Sequence, residues 1–163
     1  TAIALQEHPF LNARWQENEI VLSKEVHIGI AVDTPDGLIV PVVRNVHEQS
    51  LRRIAEQSKA LIEKAQARKL SADALQGGTF TITNLGMYNI DAFTPIINPP
   101  QCAILGIGRI VKKPVVVDDQ IVVRQMVALS LTFDHRVVDG APAARFLDAV
   151  RQLVEAPLLL LAV

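Results

Sequence analysis

The chain has 163 residues, half of them hydrophobic, and its 16 basic and 17 acidic side chains leave a net charge of -1. That length suits one domain around one sizeable core, and a near-neutral balance without a basic stripe argues against nucleic acid as a partner. The longest apolar stretch, Pro157 to Val163, falls far short of a membrane-spanning helix, and the single cysteine, Cys102, excludes an internal disulfide and suits a reducing compartment.

TAIALQEHP reads as the final turns of a helix that Pro9 stops, and EIVLSK (19–24) as a short strand. In VHIGIAV, Val26, Ile28, Ile30 and Val32 alternate with His27, Gly29 and Ala31, the period of a strand. TPDG then supplies a turn, and LIVPVV returns as the second arm of a hairpin. From Ser50, suited to an N-cap, Leu51, Ile54, Ala55, Ser58, Leu61, Ile62 and Ala65 form a helical stripe away from Arg52, Arg53, Glu56, Lys59, Glu63 and Lys64. SADALQ adds a short helical piece ended by Gly77 and Gly78, after which Thr79 to Thr83 alternates, threonines on one face, Phe80 and Ile82 on the other.

The segment from Leu85 to Gln101, with Gly86, Pro95, Asn98, Pro99 and Pro100, reads as an ordered loop. CAILGIGRI, PVVVD and IVVRQMVALSLTF predict three further strands, the last two joined at Asp118, Asp119 and Gln120. Phe146, Leu147, Val150, Leu153 and Val154 make a second helical stripe that stops at Pro157. This order predicts an α+β fold with helices on one face of a mixed or largely antiparallel sheet.

Several familiar sites fail on spacing. GIGRIV at 106–111 has a valine where a dinucleotide fingerprint needs a small residue, there is no GxSxG or GxxxxGK[ST], and the histidines at 8, 27, 47 and 135 show no metal-ligand spacing. Cys102, inside CAILGI, reads as buried and inert rather than as a nucleophile.

His135 is different, because DHRVVDG is a polar bridge between a strand ending at Phe133 and a helix, an edge where pockets form. A general base near neutral pH and a solvated or capping histidine both fit there. Pro142 favours the first helical position, which makes Ala141 the N-cap and leaves Asp139 free to orient the imidazole. Asp134 and Arg136 read equally as a surface ion pair. Thr83 ends its strand face just before Asn84, Leu85 and Gly86, where a hydroxyl can donate to a developing oxyanion, though threonines on exposed strand faces are commonplace.

Taken together, LQEHPFLNA, DGLIVPVVR, GGTFTITNLG, FTPIINPPQCAILGIGR, LSLTFDHRVVDGA and the closing PLLLL resemble the catalytic domain of the dihydrolipoyl acyltransferases, the core components of 2-oxo acid dehydrogenase complexes. The resemblance runs over nearly all of 1–163 and implies a chloramphenicol-acetyltransferase-like sandwich, a mixed sheet flanked by helices, built into a trimer with active sites between subunits. It implies roles for three residues: His135 as general base, Thr83 as an oxyanion donor reaching across from a neighbouring subunit, and Asp139 as a structural carboxylate.

The implied reaction moves an acyl group between the dihydrolipoyl arm of a lipoyl domain and coenzyme A, with no metal and no acyl-enzyme. FTPIINPPQ is most similar to acetyl-transferring members; branched-chain or succinyl transfer, a free-standing chloramphenicol-type acetyltransferase and an inactive scaffold are the alternatives. The apolar PLLLLAV is expected to dock on neighbouring trimers in a cubic or dodecahedral core that also binds decarboxylase and dihydrolipoyl dehydrogenase components. Members usually carry a further N-terminal segment, whose arginine pairs with the aspartate equivalent to Asp139, and peripheral-subunit-binding and lipoyl domains, all expected outside this sequence. The implied location is the cytoplasm, or the mitochondrial matrix in a eukaryote.

Overall fold

The computed structural model describes residues 1–161. Helix α1 (Ala2–Glu7) ends before Pro9, and a short 3-10 turn leads into β1 (Ala13–Gln16) and β2 (Glu19–Leu22), an antiparallel hairpin. β1 was not expected from sequence: ARWQ has no clear alternation, and its turn is made by Glu17 and Asn18 in the left-handed region instead of by glycine.

VHIGIAV divides into β3 (Ile28–Ile30) and β4 (Val32–Thr34) where one strand was expected. The division follows the hydrogen bonds: the Ile30 N–H donates to Pro41, the Ala31 N–H donates to Ile82, and beyond them β4 pairs only with β5 (Gly37–Ile39). The TPDG hairpin is thus present, but in its own two-stranded ribbon. β6 (Val42–Val43) then returns to the side of β3.

Helix α2 (Leu51–Gln66) starts where expected, with the Ser50 hydroxyl accepting from the Arg53 N–H at 3.3 Å. Its stripe is less buried than the pattern implies. Only Ala65 is fully enclosed, while Leu51, Ile54, Ser58 and Ile62 line an open groove of about 1010 Å³ against Ile28, Ile30 and Ile82.

β7 (Phe80–Asn84), β8 (Ala103–Ile107) and β11 (Leu129–Phe133) complete a five-stranded mixed sheet in the order β11-β8-β7-β3-β6, parallel between β3, β7 and β8 and antiparallel at both ends. The single strand expected over IVVRQMVALSLTF is two, because β10 (Gln120–Met126) pairs with β9 (Val111–Val117) and the chain steps at Val127 and Ala128 before β11 joins β8. The β9–β10 ribbon turns at Asp118 and Asp119, both left-handed, and exposes Val116, Ile121 and Val123 on one face.

Helix α3 (Gly140–Glu155) closes the core from the same side as α1. Phe146, fully buried, meets Phe80 at 5.7 Å between ring centroids and takes the edge of His8 at 6.0 Å, with Leu5, Leu105, Val137, Val138 and Val150 in the same cluster. Phe146→Ala is therefore expected to lower unfolding free energy by about 3–5 kcal/mol, from lost burial plus the cavity left behind, as read by urea denaturation. After α3, Pro157–Leu161 forms a 3-10 turn with Leu158 78% exposed; Ala162 and Val163 of the apolar tail lie outside the described residues.

Candidate active site

The turn between β11 and α3 is pinned by its own backbone. The Asp134 N–H donates to the Cys102 carbonyl at 2.7 Å, and the Asp134 carbonyl accepts from Val137 at 2.9 Å and Val138 at 3.1 Å. Val137 and Val138 are sunk in the core, so the two residues between the anchors, His135 and Arg136, are held outward. Arg136 returns its Nε and guanidinium N–H groups to both oxygens of Asp134, the nearer at 2.6 Å, so the Asp134–Arg136 ion pair is real and draws the Asp134 carboxyl below its usual range.

His135 lies with its ring 5.8 Å from that of Phe133, centroid to centroid, and its Nδ1 is 3.5 Å from an Asp139 carboxylate oxygen. That separation exceeds a normal hydrogen bond, so Asp139 faces the ring without bonding to it. Both side chains are open to solvent, His135 at 72%. Asp139 reaches this place by a different route from the expected one. The helix begins at Gly140, so Asp139 itself occupies the N-cap and Pro142 is the third helical residue, where its missing N–H is still one of the four that need no helical partner. The Asp139 side chain makes no capping hydrogen bond, and this leaves it free to face His135.

The other three histidines are committed elsewhere. His27 Nδ1 accepts from the Asn45 N–H at 3.0 Å, His47 Nδ1 accepts from the Val26 N–H at 3.3 Å, and His8 packs on Phe146. Burial, then the Arg44 charge, pushes the His27 pKa down, consistent with a neutral acceptor. Cys102 is buried, its thiol directed at the Phe10 carbonyl at 3.2 Å, and burial pushes its pKa up, so it is the inert residue its flanks suggest. Among the described residues no group of three or more His, Cys, Asp or Glu is placed to hold a metal ion.

The threonine face of β7 is not uniformly exposed. Thr79 is tied to the His27 backbone, and Thr81 is buried and donates to Gln101 Oε1 at 2.6 Å. Thr83 alone of the three makes no side-chain hydrogen bond among the described residues; it is half-buried at the rim of the groove, where the Asn84 side chain accepts from the Gly86 N–H and turns the chain away. Beside it in register is Gly106, whose missing side chain admits Phe93 and Pro95; a Cβ there would stand 3.0 Å from the Phe93 ring.

Within one chain His135 and Thr83 are not brought together. Thr83 is level with Gly106 and hence with Ser130, whereas His135 lies five residues beyond Ser130 and its strand is two away from β7. Strand rise and spacing put the two side chains on the order of 15 Å apart. No single reacting atom touches both.

The sequence over residues 1–162 matches the family of 2-oxoacid dehydrogenases acyltransferase (catalytic domain). The chain belongs to that family. A dihydrolipoyllysine-residue acetyltransferase component of a pyruvate dehydrogenase complex from Rickettsia conorii is 45% identical over 98% of this chain and 39% of its own length. The chain thus spans about two fifths or less of the length of the curated relatives it matches. A solved structure of Azotobacter vinelandii dihydrolipoamide acetyltransferase, concerned with the role of a serine, a histidine and an asparagine in its mechanism, superposes with a TM-score of 0.93 at 46% identity, covering 96% of this chain and 65% of that one. The cubic core of a pyruvate dehydrogenase multienzyme complex superposes equally well, at 45% identity over 96% of this chain and 65% of that one. Chloramphenicol acetyltransferase, 15% identical with a TM-score of 0.50 over 89% of this chain and 69% of that one, shares the fold alone, so the expected α+β sandwich architecture is the one observed.

Proposed function

We propose that this chain transfers an acetyl group between the dihydrolipoyl arm of a lipoyl domain and coenzyme A, at a site completed by a second copy of itself. Spacing carries the reading. In the Azotobacter protein the serine precedes the histidine by 52 positions and the asparagine follows it by four, and Thr83 and Asp139 stand at those same distances from His135. The amide in the relative where this chain has Asp139 is consistent with a residue that orients the imidazole rather than one that exchanges protons.

In the proposed reaction His135 Nε2, the ring nitrogen turned away from Asp139, takes the proton from the attacking thiol as its sulfur bonds to the thioester carbonyl carbon. The carbonyl electrons move onto oxygen, where the Thr83 hydroxyl of the neighbouring copy donates to the oxyanion. Collapse of the adduct breaks the original carbon–sulfur bond, and the departing thiolate recovers the proton from His135. No acyl-enzyme forms, in keeping with the buried Cys102. Coenzyme A and the lipoyl group are substrates here, and the lipoyl group comes on a separate domain.

Assembly of copies into trimers and then a larger core, with the apolar turn at Pro157–Leu161 as one contact, is part of this reading, as is attachment of decarboxylase and dihydrolipoyl dehydrogenase components. The test is an assay of the intact protein with acetyl-coenzyme A, offering dihydrolipoamide and, separately, chloramphenicol. Acetylation of the dithiol with release of free coenzyme A is expected; acetylation of chloramphenicol alone would point to the free-standing acetyltransferase instead.

A further inference from the structure

The histidine turn is braced from outside the sheet by an aromatic residue on a different hairpin. Trp15 on β1 lies under the Arg136 guanidinium, 5.2 Å from ring centroid to Cζ, while the same guanidinium grips Asp134 through both carboxylate oxygens. The Arg136 backbone N–H also donates to Asp134 Oδ1 at 3.0 Å, so one carboxylate fixes both the main chain and the side chain of the residue next to His135.

A backbone path runs parallel to this side-chain path. The Cys102 N–H donates to the Ala13 carbonyl at 3.2 Å, and the Cys102 carbonyl accepts from the Asp134 N–H at 2.7 Å. β1 and the histidine turn are therefore joined twice, once through buried Cys102 and once through Trp15 and Arg136 at the surface. The inner link fixes where the turn sits. The outer one, with the Arg136 N–H held by Asp134 Oδ1, fixes the rotation of the peptide plane that follows His135, and with it the direction in which the imidazole leaves the backbone.

We propose that Arg136 is a positioning residue for His135, acting through Asp134 and the Trp15 ring to hold the imidazole between Phe133 and Asp139. This rests on the reading of His135 as the base. The Arg136 side chain is 63% exposed while that of Asp134 is 19% exposed, so this ion pair and its cation–aromatic contact contribute modestly to global stability. They do bias a local turn, and displacement of a catalytic group by about 1 Å can cost up to a hundredfold in rate. Turnover is thus expected to respond to the loss of Arg136 far more strongly than folding does.

The experiment compares the parent with Arg136→Met and Trp15→Leu in the intact protein, and with Arg136→Lys, which keeps the charge but not the flat two-pronged grip. Expected for Arg136→Met and Trp15→Leu is a fall in kcat of about tenfold, with KM for both thiol substrates within about twofold of the parent. Arg136→Lys should recover little. In spectra of protein carrying ¹⁵N-labelled histidine, the His135 ring nitrogens should move towards the averaged values of an imidazole exchanging between orientations, while the melting temperature falls only modestly in Arg136→Met and in Trp15→Leu, whose parent ring also packs on the core. Parent-like ring signals in Arg136→Met would overturn the proposal, as would a rate loss that disappears in both variants at temperatures well below their melting points. Should the parent lack thiol acetylation altogether, the functional reading fails, while the ring signals still decide whether Arg136 holds His135.

Discussion

His135→Ala is expected to depress acetyl transfer by on the order of 10²- to 10⁴-fold, the contribution usual for a positioned acid–base group. The fold should be indifferent to the change. The His135 side chain is 72% exposed, and the turn carrying it is held by the Asp134 carbonyl and by buried Val137 and Val138, none of which involves the imidazole. Thiol release measured beside light scattering makes the separation visible: particle mass persists while the rate disappears, which also distinguishes a catalyst from a bare scaffold. A variant that keeps the parental rate would remove His135 from the mechanism.

Thr83→Ala should cost about a hundredfold or more, the usual consequence of removing one oxyanion donor from a preorganised site. The alternative role for a strand-end threonine, filling space on the sheet, would leave the rate within a fewfold. Because His135 and Thr83 lie far apart within a chain, the two variants can be set against each other. Co-assembled His135→Ala and Thr83→Ala chains should regain activity that neither has alone, since one class of interface then joins an intact histidine to an intact threonine. Failure to regain any would place both roles on the same chain and contradict the geometry.

How far the sequence discloses this arrangement depends on the range of the interaction concerned. The alternation of Phe80, Thr81 and Ile82 and the apolar run at Ala103–Ile107 mark strands because each is governed by the local pleat. Ser50 and α2 are legible for the same reason. The break between β3 and β4 is not, because it is decided by the carbonyls of Pro41 and Ile82, which no local pattern announces. The burial of α2 is overstated by its stripe, since a periodicity shows which face is apolar and says nothing of what covers it.

The candidate site divides likewise. His135 and Asp139 are four residues apart, so their proximity follows from a turn entering a helix, although that helix starts at Gly140, two residues before the start that Pro142 suggests. What distinguishes Thr83 from Thr79 and Thr81 is a set of tertiary hydrogen bonds to His27 and Gln101 that occupy the other two hydroxyls. Trp15 is not legible as part of the site. Its only signal is an isolated large aromatic in a chain with just 4% aromatic residues, and its partner lies at the far end of the sequence.

The β9–β10 ribbon bears on how stability itself has to be measured. Val116, Ile121 and Val123 present a flat apolar strand face to water, at 70%, 79% and 65% exposure, on a ribbon paired with no other described strand. Such a face is where chains meet, in an ordered contact or in a precipitate. A contact available to folded chains and not to unfolded ones shifts the unfolding equilibrium by mass action. Were this face covered in the proposed assembly, the unfolding midpoint would rise with protein concentration, and a midpoint quoted without that concentration would describe the solution as much as the molecule.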